Sequence, residues 1–322
     1  MLRTELAGLP LATPVILAAG TCGVLDEMAD ALPLSRVGGL VTKSITPEPR
    51  RGNLTWRILP SRAGMLNAIG LANPGVEAFM RDYAPRAASV PVVVIGSVAG
   101  FSIDDYTAVC RAMEQAAGIA AVELNVSCPN VHGGTEFGAD PAALRDLVSA
   151  AREALPTTRL FVKLSPVTVG TPHRMVDLAR AAIEAHDRPG GPLDRPGADA
   201  LCIANTVPAM EIDIHTRRPR LANVTGGLSG PAVHPIALKL VHDVYRGVAR
   251  DTQTPLIGIG GVSGWREAAA FILAGATAVE VGTALFADPR APLKIARGLA
   301  RWASRQRAGS VGELTGALRL EP

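Results

Sequence analysis

Eight short apolar runs, most of them followed by a helical pattern, constrain this chain more than anything else in it. They cover residues 14–20, 39–44, 91–98, 120–127, 160–165, 200–205, 255–261 and 278–283. Helix-like segments lie between them, among them 141–154 and 265–274. Continuous Val, Ile and Leu runs alternating with helices indicate a parallel sheet buried on both faces. Eight repeats of that unit over 322 residues point to an α/β fold, a closed (β/α)8 TIM barrel. A doubly wound open sheet is the alternative. Length alone suggests two domains, but α/β barrels exceed the usual domain size, and no internal repeat or low-complexity tract divides the chain. A single domain over 1–322 is therefore expected.

Three segments depart from a bare barrel. The amino-terminal stretch 4–14 holds two strand-like pieces around Gly8, a hairpin that could close the barrel's bottom. Residues 46–75, rich in Pro, Arg, Gly and Asn, are too long for an ordinary βα turn, and 207–230 directly follow the sixth run. Insertions after strands lie on the face where barrel enzymes do chemistry. The segment 187–198 precedes a strand and belongs to the opposite face, as a bland surface loop.

Charge excludes several partners. The 32 Lys and Arg nearly balance 29 Asp and Glu, for a net charge of +3, which gives no reason to invoke nucleic acid or a membrane surface. Arg297, Arg301 and Arg305 form an i, i+4 stripe, the pattern of a solvated helix face. No apolar run reaches the roughly 18 residues that span a bilayer, and the amino terminus lacks a signal core. A cytoplasmic protein with reduced thiols is expected. Cys22, Cys110, Cys128 and Cys202 lack zinc or disulfide spacing. The six histidines show no metal-ligand pattern, and there is no G-x-S-x-G or H-E-x-x-H, so hydrolytic and metal readings lose support.

Several runs end in residues that a core does not need. The fourth leaves the sheet through Asn125, Ser127, Cys128, Pro129 and Asn130, with Gly133 and Gly134 close behind. A cysteine alone reads as a small buried hydrophobe. Its Asn-x-x-Cys-Pro-Asn surroundings read as an active site. Lys43 and Lys163 end the second and fifth runs, where an ammonium is costly unless a strong acceptor meets it, which suggests a shared electron-rich ligand. Gly258, Gly260, Gly261 and Gly264, with Gly282 and Thr283, follow the last two runs, where barrels commonly hold a phosphate on backbone N–H groups. That position favours a mononucleotide such as FMN. Asn67, Asn125, Asn130 and Asn205, the last followed by Thr206, offer the alternating donors and acceptors that suit a planar heterocycle.

With these residues in hand the chain resembles the class 1 dihydroorotate dehydrogenases, and within them the FMN-bearing catalytic subunit of class 1B. The likeness runs nearly end to end. It is carried by Thr42-Lys43-Ser44, Asn67-Ala68-Ile69-Gly70-Leu71 with Asn73-Pro74-Gly75, Asn125-Val126-Ser127-Cys128-Pro129-Asn130-Val131, Ala204-Asn205-Thr206, Gly258-Ile259-Gly260-Gly261 and Val281-Gly282-Thr283. The cysteine and the absence of an amino-terminal extension set it apart from class 2. His132-Gly133-Gly134 with Phe137-Gly138, Met210-x-Ile212-Asp213 and the 222–232 run favour 1B.

The resemblance implies that Cys128 is the base at C5 of dihydroorotate and that the hydride from C6 goes to FMN, giving orotate. It implies cofactor contacts from Ala19, Gly20, Lys43, Ser44, Ser97, Asn125, Lys163, Ile203, Gly230, Gly260, Gly261, Gly282 and Thr283. Substrate contacts would come from Lys43, Asn67, Ala68, Ile69, Gly70, Leu71, Asn125, Asn130, Asn205 and Thr206. Ala19 and Ser97 stand where relatives carry serine and asparagine, so the flavin would keep fewer hydrogen bonds, and the substrate could be a dihydroorotate analogue. A homodimer is implied, or a heterotetramer whose second subunit carries FAD and a [2Fe-2S] cluster and reduces NAD+. The alternatives are a fumarate-linked class 1A enzyme, a dihydropyrimidine dehydrogenase-like reductase, and a non-catalytic FMN-binding barrel.

Overall fold

All eight apolar runs become parallel strands: Val15–Leu17, Gly39–Val41, Val93–Val98, Ile119–Asn125, Arg159–Lys163, Ala200–Ile203, Leu256–Ile259 and Ala278–Val281. They pair in chain order and close, the eighth against the first through Val281 and Leu17. The structure, a computed structural model, describes residues 1–127, 137–166, 172–186 and 189–320. It is the (β/α)8 barrel that the run spacing indicates.

Strand side chains alternate between the helices outside and the barrel axis inside. One inward layer is wholly apolar: Ile16, Val41, Ile95, Ala121, Phe161, Ala200, Ile257 and Ala278, each fully buried. The expected hairpin lies beneath it, Thr4–Leu6 paired antiparallel with Leu9–Leu11. Its two-residue loop places Ala7 at φ 49° and Gly8 at φ 76°, the positive pair that a tight hairpin of the right twist requires. Leu6, Leu9 and Leu11 join the same cluster and plug the barrel. Leu193, from the loop before the sixth strand, packs there too, so that loop lies on the bottom face as its position in the chain indicates.

Outside the barrel, the helix Pro141–Ala154 starts where Asp140 accepts a hydrogen bond from the Ala142 amide, with proline in the first turn. Leu144, Leu147, Val148 and Ala151 repeat at i, i+3, i+4, i+7 and bury one face against the sheet. Each leucine so buried contributes about 1.5–3 kcal/mol. Trp265–Ala274 does the same with Ala268, Phe271 and Ile272. Arg297, Arg301 and Arg305 are exposed on Ala291–Arg305, as a solvated face should be. Among the described residues no helix is long and apolar enough to cross a membrane.

The two insertions meet. Strands Val207–Met210, Thr225–Ser229, Gly64–Asn67 and Ile58–Ser61 form one antiparallel sheet, with Gly227 opposite Asn67. A small core of Leu59, Leu66, Ala68 and Leu221 holds it together.

Candidate active site

Two residues beyond each member of the apolar layer, the same alternation brings Ala18, Lys43, Ser97, Glu123, Lys163, Cys202, Ile259 and Glu280 inward at the barrel mouth. All of this second layer but Ser97 and Cys202 lines the floor of a cavity of about 1080 Å³ that the inserted sheet borders. Polar residues survive there because they meet one another or the cavity.

Most of the expected residues border this cavity. Ala19, Gly20, Lys43 and Ser44 do so from beyond the first two strands, and Asn67, Ala68, Ile69, Gly70 and Leu71 from the first insertion. Asn125, Lys163, Asn205 and Thr206 line it from the fourth to sixth strands, and Gly230, Gly260, Gly261, Gly282 and Thr283 from the far side. Ser97 and Ile203 are fully buried and are not among the lining residues. The Ser97 hydroxyl is instead shared with that of Ser44 at 2.9 Å, so it supports a lining residue from behind. Cys128 and Asn130, like His132 to Gly134, lie outside the described residues. Sequence reasoning missed Arg50, Asn53 and Phe101, which border the same cavity, with the Arg50 guanidinium 4.8 Å from the Phe101 ring centre.

The amides form a partly satisfied row. Asn205 Nδ2 donates to Asn125 Oδ1 and to Ser127 Oγ, both at 3.0 Å, and Asn125 Nδ2 donates to Ser44 Oγ at 3.4 Å. Tyr106 donates its hydroxyl to the Asn125 carbonyl at 2.6 Å and so fixes the strand end. Asn67 Nδ2 donates to the Gly227 carbonyl at 3.3 Å, across the inserted sheet. Among the described residues Asn67 and Asn125 each keep one amide hydrogen for a ligand, whereas both amide hydrogens of Asn205 are committed and its Oδ1, which accepts from the Thr206 amide, keeps only acceptor capacity.

The two lysines differ. Lys43 Nζ has no ion-pair or hydrogen-bond partner among the described residues, and burial, then the Arg57 charge, pull its pKa below the ordinary lysine range. Lys163 Nζ lies 3.1 Å from Glu280 Oε2 and 3.6 Å from Glu123 Oε1, with all three side chains almost wholly buried. Burial opposes its charge, yet the carboxylates of Glu123 and Glu280 outweigh burial and hold its pKa above the ordinary range. The strong acceptor expected for Lys163 is thus the chain's own. Counting inward by twos from Ala121 and Ala278 would have found both glutamates.

Glycines shape the far wall. Gly230 and Gly261 have φ of 91° and 66°. A Cβ on Gly230 would sit 2.7 Å from Gly64 Cα, and one on Gly261 2.7 Å from the Gly230 carbonyl oxygen. Three backbone segments therefore approach too closely for any side chain. Residues Gly282 and Thr283 lead into the short helix Ala284–Ala287 beside them. This wall suits a phosphate, the amide row suits a heterocyclic edge, and the volume exceeds what one small substrate needs. A mononucleotide flavin fits the residues present.

A family model described as dihydroorotate dehydrogenase matches residues 1–302. A protein of Pelobacter propionicus named dihydroorotate dehydrogenase B (NAD(+)), catalytic subunit, is 43% identical over 318 residues, 98% of each chain. One of the same name from Desulforudis audaxviator is 45% identical over 315 residues, 97% of this chain and 95% of the relative. A protein of Solibacter usitatus, named provisionally as a dihydroorotate dehydrogenase A (fumarate), is 43% identical over 321 residues, 99% of each.

Proposed function

The chain belongs to the dihydroorotate dehydrogenase family, and from that premise we propose that it is an FMN-dependent oxidoreductase, acting as one barrel domain over 1–322, that converts dihydroorotate to orotate in UMP synthesis. The observation that carries this reading is the pairing, in one cavity, of the Asn125–Asn205 amide row with the close glycine wall of Gly230 and Gly261.

Gly230, Gly260, Gly261, Gly282 and Thr283 would hold the phosphate of FMN, and Lys43, Ser44, Asn125 and Lys163 its ring. A flavin bound there supplies the acceptor for the hydride that leaves C6. Asn67, Asn125, Asn205 and Thr206 bind the dihydropyrimidine edge and fix which face of the ring meets the cofactor. Lys43, unpartnered among the described residues, gives its ammonium to the electron-rich ligand. Cys128 Sγ takes the proton from C5 as the C5–C6 double bond forms. An ordinary thiol is about 3% thiolate at pH 7, so the rate climbs with pH unless the site acidifies Cys128. The inserted sheet bounds the cavity and limits water around the reacting carbons.

For the final acceptor the names of the relatives divide between NAD+ and fumarate. We favour NAD+, reached through a second subunit carrying FAD and a [2Fe-2S] cluster. Two similar relatives are named catalytic subunits. The described cysteines, Cys22, Cys110 and Cys202, are buried singly and could not hold a cluster here. Exposed Leu54, Trp56, Met210, Ile212 and Ile214 on the insertions support a homodimer as the catalytic core.

The test is the spectrum of the purified chain. A yellow protein bleached by anaerobic dihydroorotate is the expected result, and a colourless or unbleached one refutes the reading. Reoxidation by fumarate without a partner would replace the NAD+ assignment by the fumarate-linked one.

A further inference from the structure

Four titratable side chains from four strands meet at the cavity floor: Glu123, Lys163, Cys202 and Glu280. The ligand atoms of Glu123, Cys202 and Glu280 lie within 4.8 Å of one another, but the Lys163 ammonium already stands among the carboxylates and opposes a metal cation. Among the described residues neither carboxyl oxygen of Glu123 has a hydrogen-bond partner, whereas Glu280 accepts from Cys202 Sγ at 3.4 Å and from Lys163 at 3.1 Å. We propose that Glu280 and Glu123 are positioning residues that set the charge Lys163 presents to the flavin, and through it the midpoint potential of the bound cofactor. This rests on the assignment of a flavin to the cavity.

One ammonium and two ionised carboxylates would leave a net negative charge buried at the floor, which costs heavily unless a proton neutralises it. Glu123, farther from the Lys163 ammonium than Glu280, holds that proton, and burial, then the nearby Glu280, push its pKa up to about 8. Glu280, with two donors, is the carboxyl that pairs with Lys163. The floor is then neutral. A reduced flavin gains negative charge, and a neutral floor stabilises it less than a free ammonium would. The potential is held low, as suits delivery of electrons to a nicotinamide. Above the Glu123 pKa the floor turns negative and lowers the potential further. The groups facing Glu280 are Lys163, Glu123 and Cys202, with Cys22 near enough to feel its charge and Lys43 near Cys22. The strands flanking it, Val15–Leu17 and Leu256–Ile259, bring no titratable residue.

The experiment is a dye-referenced redox titration of bound FMN from pH 6 to pH 9 in the wild type, E123Q, E280Q and E123Q/E280Q. In the double variant Lys163 is unbalanced, and the equilibrium constant for flavin reduction should rise tenfold or more, about 30 mV for a two-electron couple. Each single variant keeps one carboxylate against one ammonium. It should match the wild type near pH 7 and lose the wild type's extra fall in potential on the alkaline side. A flavin-loaded double variant with the wild-type potential overturns the inference. If the double variant does not fold, single variants whose potential-against-pH curves overlay the wild type overturn it equally. A colourless wild type sinks the flavin assignment and this inference together; a yellow, bleachable wild type with unmoved variants sinks this one alone.

Discussion

Cys22 and Cys110 show what a thiol looks like when it is only packing: both are buried, and desolvation pushes each up to about 12. Neither can act as a base near neutrality. Cys128 differs in its neighbours along the chain, Asn125, Ser127, Pro129 and Asn130, and that is why the sequence marks it out. Cys128→Ala should lower dihydroorotate turnover about 100 to 10,000-fold with FMN still bound, the usual worth of a general base, measured by steady-state kinetics alongside the flavin spectrum. Full turnover in a flavin-loaded variant would remove the residue from that role. The lysines were half legible. A costly cation at a strand end can be seen in the sequence, but whether a ligand or a carboxylate answers it depends on inward alternation across the closed barrel, which brings Glu280 to Lys163 from 117 positions away. Glu123 also carries a pH signature. Its native pKa is raised from 4.5 to about 8, so between those values the folded protein holds a proton that the unfolded chain has released. Its contribution to stability is complete below pH 4.5 and is lost as pH rises through about 8. Urea midpoints should fall across that window more steeply for the wild type than for Glu123→Gln, and parallel curves would contradict the assignment.

At the scale of elements, strands and helices were legible because their periods are local. The helices 141–154 and 265–274 have the bounds that their apolar spacing, Pro141 and Gly275 indicate. What joins a helix to the barrel was not. Arg152 on Pro141–Ala154 bonds Asp199 at 2.9 Å, just before the sixth strand, and also donates to the carbonyls of Leu155 and Thr158. Asp199 in turn accepts from the Leu160 amide at 2.8 Å. Both charged side chains are almost wholly buried. Arg152→Ala leaves Asp199 an uncompensated buried charge and should destabilise the protein by about 3–5 kcal/mol in denaturant melts. A loss below about 1 kcal/mol, the worth of an exposed pair, would show the site to be wet.

For the whole molecule, the count of eight runs sufficed for the barrel, and the length of residues 46–75 and 207–230 sufficed to place them on the active face. Their union into one sheet did not show, because pairing Asn67 with Gly227 depends on the closed barrel bringing distant loops together. The same union leaves Leu54 at 81%, Trp56 at 67% and Ile214 at 78% exposure, far more apolar surface than a lone subunit favours. If the proposed homodimer forms through this surface, Ile214→Glu with Trp56→Glu should give monomers in analytical ultracentrifugation without loss of FMN; a mass equal to the wild type's would contradict that surface as the interface. The stitched sheet also limits how this architecture can be rebuilt. Neither half of the canopy can be transplanted to another scaffold or deleted singly, since each supplies the other's missing hydrogen-bonding edge, and the roof over the ligand must be inherited as a matched pair.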